Sequence, residues 1–499
     1  MIEGILIGLE TAFSFKNLMM VMIGCFAGTI IGMLPGLGPM TAIALMIPIT
    51  YGFEPSTGLI LMAGVYYGAV FGGSTSSILI NAPGIPGTVA TSFDGYPMAQ
   101  QGKAGKALAI AAYSSFAGGT IAAIFLLIAA PSLSKVSLAF RSPDYFGLMI
   151  LGLTAVSAFS AKGHFLKAMM MVVLGLMLAS VGQDTLSDIP RFTFQNMNLS
   201  DGISFVLVVM ATFAMSEALT IIFKANDPTR IAKQISLSQL GSIKLDKDET
   251  KKMITTIPRS SVLGFIIGVL PGAGSTIASF LAYGMERNFV KDDEKQKFGK
   301  GSVNGLAAPE TANNAACSGS FVPLLTLGIP GSGTTAVMLG ALLGFGIQPG
   351  PRLYQTNPEI FWSVIMSMYI GMVILLILNL PLIPYIARVL ATPRTFLIPL
   401  ILFFSVTGIY LMSFNNFDIY MMIGIAVVAT ILRLYDFPMP PLILAFVLGG
   451  LMEENLRRSL LISDGSWSFL WDRPLTIIIM LTISLIVGWQ TYRSFFVKK

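Results

Sequence analysis

The sequence predicts an all-α polytopic membrane protein made of two homologous halves. It should have about 12 transmembrane helices, some broken or re-entrant, because one crossing takes roughly 20 apolar residues. Three observations predict this class. First, of 499 residues 54% are hydrophobic and 11% charged, with mean hydropathy +0.76, whereas a soluble domain carries about 25% charged residues. Second, the apolar residues fall into blocks long enough to cross a bilayer, most clearly 57–80, 107–131, 203–223, 359–386 and 474–492; about 14 such stretches are visible by that length rule. Third, a Gly-Pro interruption recurs in both halves of the chain.

The N-terminus, MIEGILIGLE, has no basic n-region and no small-residue cleavage site, so the first hydrophobic segment is expected to stay in the mature protein. GTIIGMLPGLG at 28–38 then reappears as GFIIGVLPGAG at 264–274, identical at eight of eleven positions and displaced by 236. GIPGT at 84–88 reappears as GIPGS at 328–332, displaced by 244, which puts Ser74 on Ser318 and Ser76 on Ser320. A weaker third pair, SPDYF at 142–146 and NPEIF at 357–361, keeps the order but not the spacing. Two long collinear matches imply a duplication: a first membrane repeat over 1–223, a charged linker over 224–259 and a second repeat over 260–499.

The linker carries Lys224, Arg230, Lys233, Lys244, Lys247, Lys251, Lys252 and Arg259 against four acids. That excess, like Arg493, Lys498 and Lys499 in the tail, reads as cytoplasmic. The segment 287–300, RNFVKDDEKQKFGK, reads as a solvated loop special to the second half. A cytoplasmic linker and tail give the second half an even number of crossings, which favours a parallel repeat. Inverted repeats are common in secondary transporters, and one re-entrant hairpin reverses the count.

In LPGLGP at 34–39, Pro35, Gly36, Gly38 and Pro39 are poor helix continuers. Unpaired backbone groups cost several kcal/mol each in hydrocarbon, so such a break must be buried in protein or line a wet cavity. A helix-to-loop junction at the membrane surface is the plainer alternative. The second copy carries Pro271, Gly272, Ala273, Gly274 and Ser275. The GIPG pair is richer in polar groups: Ser74, Ser76, Asn81, Gly84, Gly87 and Thr88 in one half, and Asn313, Asn314, Gly328, Gly331, Ser332 and Thr334 in the other. N–H groups at a half-helix N-terminus hold an anion through the helix dipole, and carbonyls freed by a break coordinate a small cation. Tight helix packing by small residues competes with this reading, but accounts less well for the prolines and the Asn313-Asn314 pair.

Ionisable groups at membrane depth are functional candidates. Glu310, in APETANN beside the second GIPG site, is the expected internal carboxylate, and Asp94, in TSFDGYP, is expected to close its loop through an Asx-turn. Gly36, Gly38, Gly272, Gly274 and Ser275 join these two as coupling-ion or structural candidates. Glu217 and Glu453 each end an apolar run, 236 residues apart, and are expected at headgroup level. No Arg or Lys lies inside either loop, so backbone dipoles and hydroxyls would hold an anion.

No GxxxxGK[ST] loop for ATP, no HExxH and no Cys/His cluster is present. Cys25 and Cys317 lie in apolar surroundings, and the single histidine, His164, stands between Lys162 and Lys167, far from any protease-like dyad. No soluble basic domain suggests nucleic acid. A passive anion channel or pore is the alternative class, but no charged ring or carbonyl-filter repeat supports it.

GMLPGLGPMTA (32–42), YYGAVFGGSTSSILINAPGIPG (66–87), FDGYPMAQQGKAGKAL (93–108), GVLPGAGSTIASFLAYGMER (268–287) and APETANNAACSGSFVPLLTLGIPGSGTTAV (308–337) together resemble the large membrane subunit of the tripartite tricarboxylate transporters (TctA-type). The likeness spans nearly the whole chain. It implies a multi-pass permease of the bacterial inner membrane without enzymatic activity or organic cofactor. The implied partners are a small membrane subunit and a periplasmic solute-binding protein. The implied activity is import of citrate or other carboxylates driven by Na⁺ or H⁺.

Overall fold

The computed structural model describes residues 2–34, 36–137, 139–158, 165–184, 187–223, 241–272, 274–388 and 394–496. Pro35, His164, Lys224, Arg230, Lys233, Ala273, Lys498 and Lys499 lie outside the described residues. The chain is nearly all helix. In order run α1 (Ile2–Ala12), α2 (Phe15–Met33), α3 (Gly38–Thr50), α4 (Pro55–Ile80), α5 (Val89–Met98), α6 (Ala104–Ser137), α7 (Ser142–Ala158), α8 (Phe165–Ala179), α9 (Phe205–Val209) and α10 (Ser216–Phe223). They are followed by α11 (Lys247–Val269), α12 (Gly274–Phe289), α13 (Asp292–Lys295), α14 (Val303–Leu327), α15 (Gly333–Gly344), α16 (Leu353–Thr356), α17 (Pro358–Asn379) and α18 (Ile383–Ile386). The last four are α19 (Arg394–Ser413), α20 (Asn416–Leu434), α21 (Pro440–Ile462) and α22 (Pro474–Phe496). One two-stranded antiparallel ribbon pairs Gly182 with Arg191.

Among the described residues, six helical stretches are long and apolar enough to cross a membrane, including Phe15–Met33, Pro55–Ile80, Pro358–Asn379 and Asn416–Leu434, and several shorter apolar helices accompany them. This is a multi-pass α-helical membrane protein. α4 and α14 are its central pillars. Both are buried along almost their whole length, as expected of helices that are apolar or small all round.

Close glycine packing fixes both pillars. A Cβ on Gly28 of α2 would lie 2.3 Å from the Val65 carbonyl oxygen of α4, and one on Gly32 2.2 Å from that of Ala69. On the other side, a Cβ on Gly264 of α11 would lie 2.4 Å from the Ala312 oxygen of α14, and one on Gly268 2.3 Å from that of Ala316. Small residues let helix backbones meet where lipid supplies no hydrophobic drive. The packing also sets a register. Gly28 and Gly264 are 236 apart, but the residues they touch, Val65 and Ala312, are 247 apart. The 244-residue offset of the GIPG letters, and with it the pairing of Ser74 with Ser318, therefore misses the packing register by three residues. Gly84 and Gly331 agree with the packing: their added Cβ atoms would meet the Gly32 and Gly268 carbonyls at 1.9 and 2.8 Å. α6 crosses from the first half to pack along α14, and α17 crosses back to pack on α4.

At the LPGxG breaks, Gly36 and Gly38 take φ values of 99° and 65°, and Gly272 and Gly274 take 80° and 60°. This left-handed geometry ends α2 and α11 and restarts the chain as α3 and α12. The charged stretch expected as a linker to 259 becomes helix from Lys247, where Asp246 and Glu249 form a capping box. In 287–300, α12 continues to Phe289 and the short α13 follows. SPDYF and NPEIF both open helices, α7 and α17.

Candidate functional site

The two kinds of break meet at one place. A cavity of about 670 Å³ is lined by Pro39 and Met40 at the start of α3, by Pro86 and Gly87 before α5, by Gly274, Ser275 and Thr276 at the start of α12, and by Ser332, Gly333 and Thr334 at the start of α15. Thus the N-termini of three helices and the short turn leading into a fourth face one volume. Each helix N-terminus carries unpaired N–H groups and a partial positive charge. A second cavity of about 590 Å³ adjoins it, sharing Pro39, Ile85 and Pro86 and adding Gly36, Gly38 and Gly84. The breaks are tied directly as well, since Gly272 N–H donates to the Gly331 carbonyl at 3.0 Å.

Both cavities are bounded on one side by the turn between α20 and α21, through Arg433, Phe437, Pro438 and Pro440. Arg433 occupies the last turn of α20, where the helix dipole favours a cation. Its Nη1 donates to Glu217 Oε2 at 2.5 Å and its Nη2 to the Thr212 carbonyl at 2.9 Å. The guanidinium also stands 5.8 Å from the centre of the Phe213 ring, within cation–π range. Its partners Thr212 and Phe213 lie in a π-turn, Met210–Met215, between α9 and α10, a distortion frequent at functional sites. Glu217 reaches the first break too: a Cβ on Gly36 would lie 2.9 Å from its Oε1. Among the described residues, the acidic and basic side chains lining the larger cavity are Glu217, Arg433 and Asp436.

The sequence candidates separate into groups. Gly87, Gly272, Gly274, Ser275, Ser332 and Thr334 line the larger cavity, and Gly36, Gly38 and Gly84 line the smaller. Ser332 also caps α15, accepting from Thr335 N–H at 3.2 Å, and lies 3.4 Å from the Tyr66 hydroxyl. Asn313 sits behind the Gly87 turn, fully buried, with neither side-chain polar atom hydrogen-bonded among the described residues. The remaining candidates stand apart from the cavities. Asn81 is the exposed left-handed cap of α4, with φ 52°, and Gly328 is the equivalent cap of α14, with φ 68°. Gly331 packs against Gly268 and Ser320. Ser76 and Thr88 hydroxyls donate to the Gly73 carbonyl at 3.1 and 3.2 Å. Asn314 donates to the Glu310 carbonyl at 3.1 Å. Ser74 joins Glu310 in a buried polar cluster.

Three expectations are corrected. Asp94 makes no Asx-turn: it lies inside α5 and accepts from the N–H groups of Gly299, Gly301 and Ser302 at 2.9, 2.9 and 2.7 Å. With the Tyr283 hydroxyl at 3.0 Å, it secures the start of α14 from the other half of the chain. Glu217 ends no helix; it is buried within a continuous one and ion-paired, whereas Glu453 is half-exposed beside Arg191 and Arg457. The cavity does contain a cation, since Arg433 arrives from a distant helix. One signal in the sequence could have found it: Arg433 closes the apolar run IGIAVVATIL, and an ionisable residue there calls for a partner such as Glu217.

Comparison with known proteins agrees with this architecture. Residues 18–444 match the family model described as "Tripartite tricarboxylate transporter TctA family". The chain is 43% identical over 465 residues to an uncharacterized 52.8 kDa protein in the TAR-I ttuC' 3' region of Agrobacterium vitis, covering 93% of this chain and 91% of that protein. A second Agrobacterium vitis protein, in the TAR-II ttuC' 3' region, is 43% identical over 212 residues, covering 42% of this chain and 87% of its own length.

Proposed function

The chain belongs to the tripartite tricarboxylate transporter TctA family, a transporter family, and from that premise we propose that it is the large permease subunit of a cation-coupled importer of small carboxylates. The observation that carries this reading is the convergence of three helix N-termini, the turn before α5 and the Arg433 guanidinium on one cavity. Backbone N–H groups and a planar guanidinium are the donor set that suits carboxylates. Glu217 pairs with Arg433, and an incoming carboxylate would take its place.

Charge supports coupling to a cation. Glu217 and Asp436 oppose the single positive charge of Arg433 in the larger cavity, so the lining has no surplus to balance a multiply charged substrate. Na⁺ or H⁺ entering with the anion would supply it. The parallel glycine packing of α2 on α4 and α11 on α14 supports a construction from two duplicated halves, with access alternating as one bundle moves against the other. A small membrane subunit and a periplasmic binding protein complete the proposed system, in the bacterial inner membrane.

Uptake of labelled carboxylates into vesicles tests this, with the binding protein present and with Na⁺ and H⁺ gradients imposed separately. Accumulation that needs both the binding protein and one gradient is the expected result. Gradient-independent equilibration without the binding protein would replace the importer with a passive pore.

A further inference from the structure

Glu310 is fully buried on α14, and hydroxyls reach it from three other helices. Ser74 of α4 lies 2.8 Å from both carboxylate oxygens, Ser115 of α6 lies 2.8 Å from Oε2, and Thr91 of α5 bonds Oε1. Among the described residues no cation is paired with it. The charged groups of the helices around α14 are turned to other partners. Asp94 of α5 holds the start of α14, Lys106 of α6 pairs with Glu249, and Arg259 of α11 pairs with Glu286 of α12. α4 and α15 carry no charged residue; of the tyrosines, Tyr66 and Tyr67 bond Ser332 and Ser318, and Tyr283 bonds Asp94.

An ionised carboxylate in a dry interior without a counter-charge costs several kcal/mol even after hydrogen bonding. A proton neutralises it and needs no extra room. The heavy-atom geometry accepts both states. Ser74 Oγ lies 3.2 Å from the Val70 carbonyl, so its hydroxyl has two places to point. When Glu310 is ionised, Ser74 donates to it. When Glu310 is protonated, the carboxyl O–H donates to Ser74 Oγ and Ser74 donates to Val70. Beside this cluster is a void of about 10 Å³, lined by Ser74, Thr75, Ser115 and Asn379, close to the size of one water. Asn379 is buried, and its Oδ1 has no hydrogen-bond partner among the described residues. A water there would bridge that oxygen to the serine hydroxyls and give a proton its route. Glu310 does not line the void, which argues against a metal ion bound by the carboxylate.

We propose that Glu310 is a proton-binding site, protonated while α14 is docked on α4, α5 and α6 and ionised when that contact opens. The carboxylate gains one proton and returns it; no other bond changes. That the proton crosses once per transport cycle rests on the importer reading above. In the packing register the counterpart of Glu310 is Ala63, so only one half carries the group.

The test uses the full-length chain in liposomes and pH-difference infrared spectroscopy in H₂O and D₂O. The expected result is a buried carboxylic-acid band at neutral pH that shifts in D₂O, is lost in E310Q and moves in frequency in S74A. Should E310Q fail to insert, an S74A band at the wild-type frequency would overturn the assignment. A wild-type spectrum identical to that of E310Q would also overturn it, as would loss of the band on adding Na⁺ at fixed pH. In the assembled complex, uptake of labelled citrate should respond to an imposed acid gradient in the wild type and not in E310Q. An E310Q response equal to that of the wild type would overturn the coupling role. Absence of any wild-type uptake with the band intact would count against the importer reading and leave the proton site standing.

Discussion

Arg433 and Glu217, 216 residues apart in the chain, form a 2.5 Å ion pair on the wall of a cavity bounded by three helix N-termini. On the proposed importer reading an incoming carboxylate would bind at this pair; Arg433 also donates to the Thr212 carbonyl. Lysine cannot make both contacts in the fork geometry of a guanidinium. R433K is therefore expected to raise the KM for uptake about tenfold, the loss of one charge-assisted hydrogen bond, with less effect on the maximal rate. R433A should abolish uptake, because it takes the guanidinium out of the cavity and removes the positive charge that faces Glu217. Concentration-dependent uptake in vesicles with matched expression measures both, and an unchanged KM in R433K would remove the guanidinium from the substrate path.

The glycine seams make a stability prediction. A Cβ on Gly28 or Gly268 would lie 2.3 Å from a carbonyl oxygen of the neighbouring helix. G28A and G268A should each cost about 1–3 kcal/mol by overpacking, seen as lower thermal midpoints in detergent. Gly450, with nothing within 4 Å of its added Cβ, is the control: G450A should be neutral or stabilising by up to about 1 kcal/mol from helix propensity. Equal midpoints for all three variants would mean that α2 and α11 do not pack as described.

The membrane class and the helix breaks were legible because they are local: apolar block length and Gly-Pro chemistry decide them. Gly36, Gly38, Gly272 and Gly274 do take the left-handed φ values that the motif implies. What was not legible depends on distant contacts. Arg433 enters the site only because α20 folds back over the π-turn at Met210–Met215. Asp94 prefers three N–H groups some 205 residues away to a local turn. The GIPG letters align at 244, but the first half offers two Pro-Gly steps, Pro83-Gly84 and Pro86-Gly87. Backbone packing selects the first of these to match Pro330-Gly331.

The start of α11 should respond to acid. Asp246 accepts from Glu249 N–H at 2.9 Å and lies 3.4 Å from Lys106 Nζ. The Glu249 backbone N–H above all, helped by Lys106, holds the Asp246 carboxyl below the usual carboxylate range. A group depressed in the folded state stabilises above its unfolded pKa, and that contribution disappears as pH falls through the lower folded value. The cap should therefore be intact at neutral pH and fail only below about pH 4. Hydrogen exchange of the 247–250 amides, corrected for intrinsic rates, should rise below that pH in the wild type and already be fast at neutral pH in D246A, which has no side-chain acceptor for the Glu249 N–H. Equal protection in the two proteins at neutral pH would show that Asp246 does not cap the helix.

Asn313 separates a binding role from a packing role. Its amide is fully buried with neither polar atom bonded among the described residues, and its Oδ1 and the Ser275 hydroxyl both lie 2.9 Å from where a Gly87 Cβ would stand. An unsatisfied buried amide costs about 1–3 kcal/mol, so an apolar group of similar size should relieve that cost. N313L is expected to keep or raise the thermal midpoint while reducing uptake more than tenfold, the loss of about 1.4 kcal/mol or more of transition-state binding. S332A should behave differently: Ser332 caps α15, so its removal should lower stability by about 1 kcal/mol and uptake with it, and S332T should restore both. Wild-type uptake in a stabilised N313L would make the amide a packing residue. The binding surface would then be confined to the helix N-termini and Arg433.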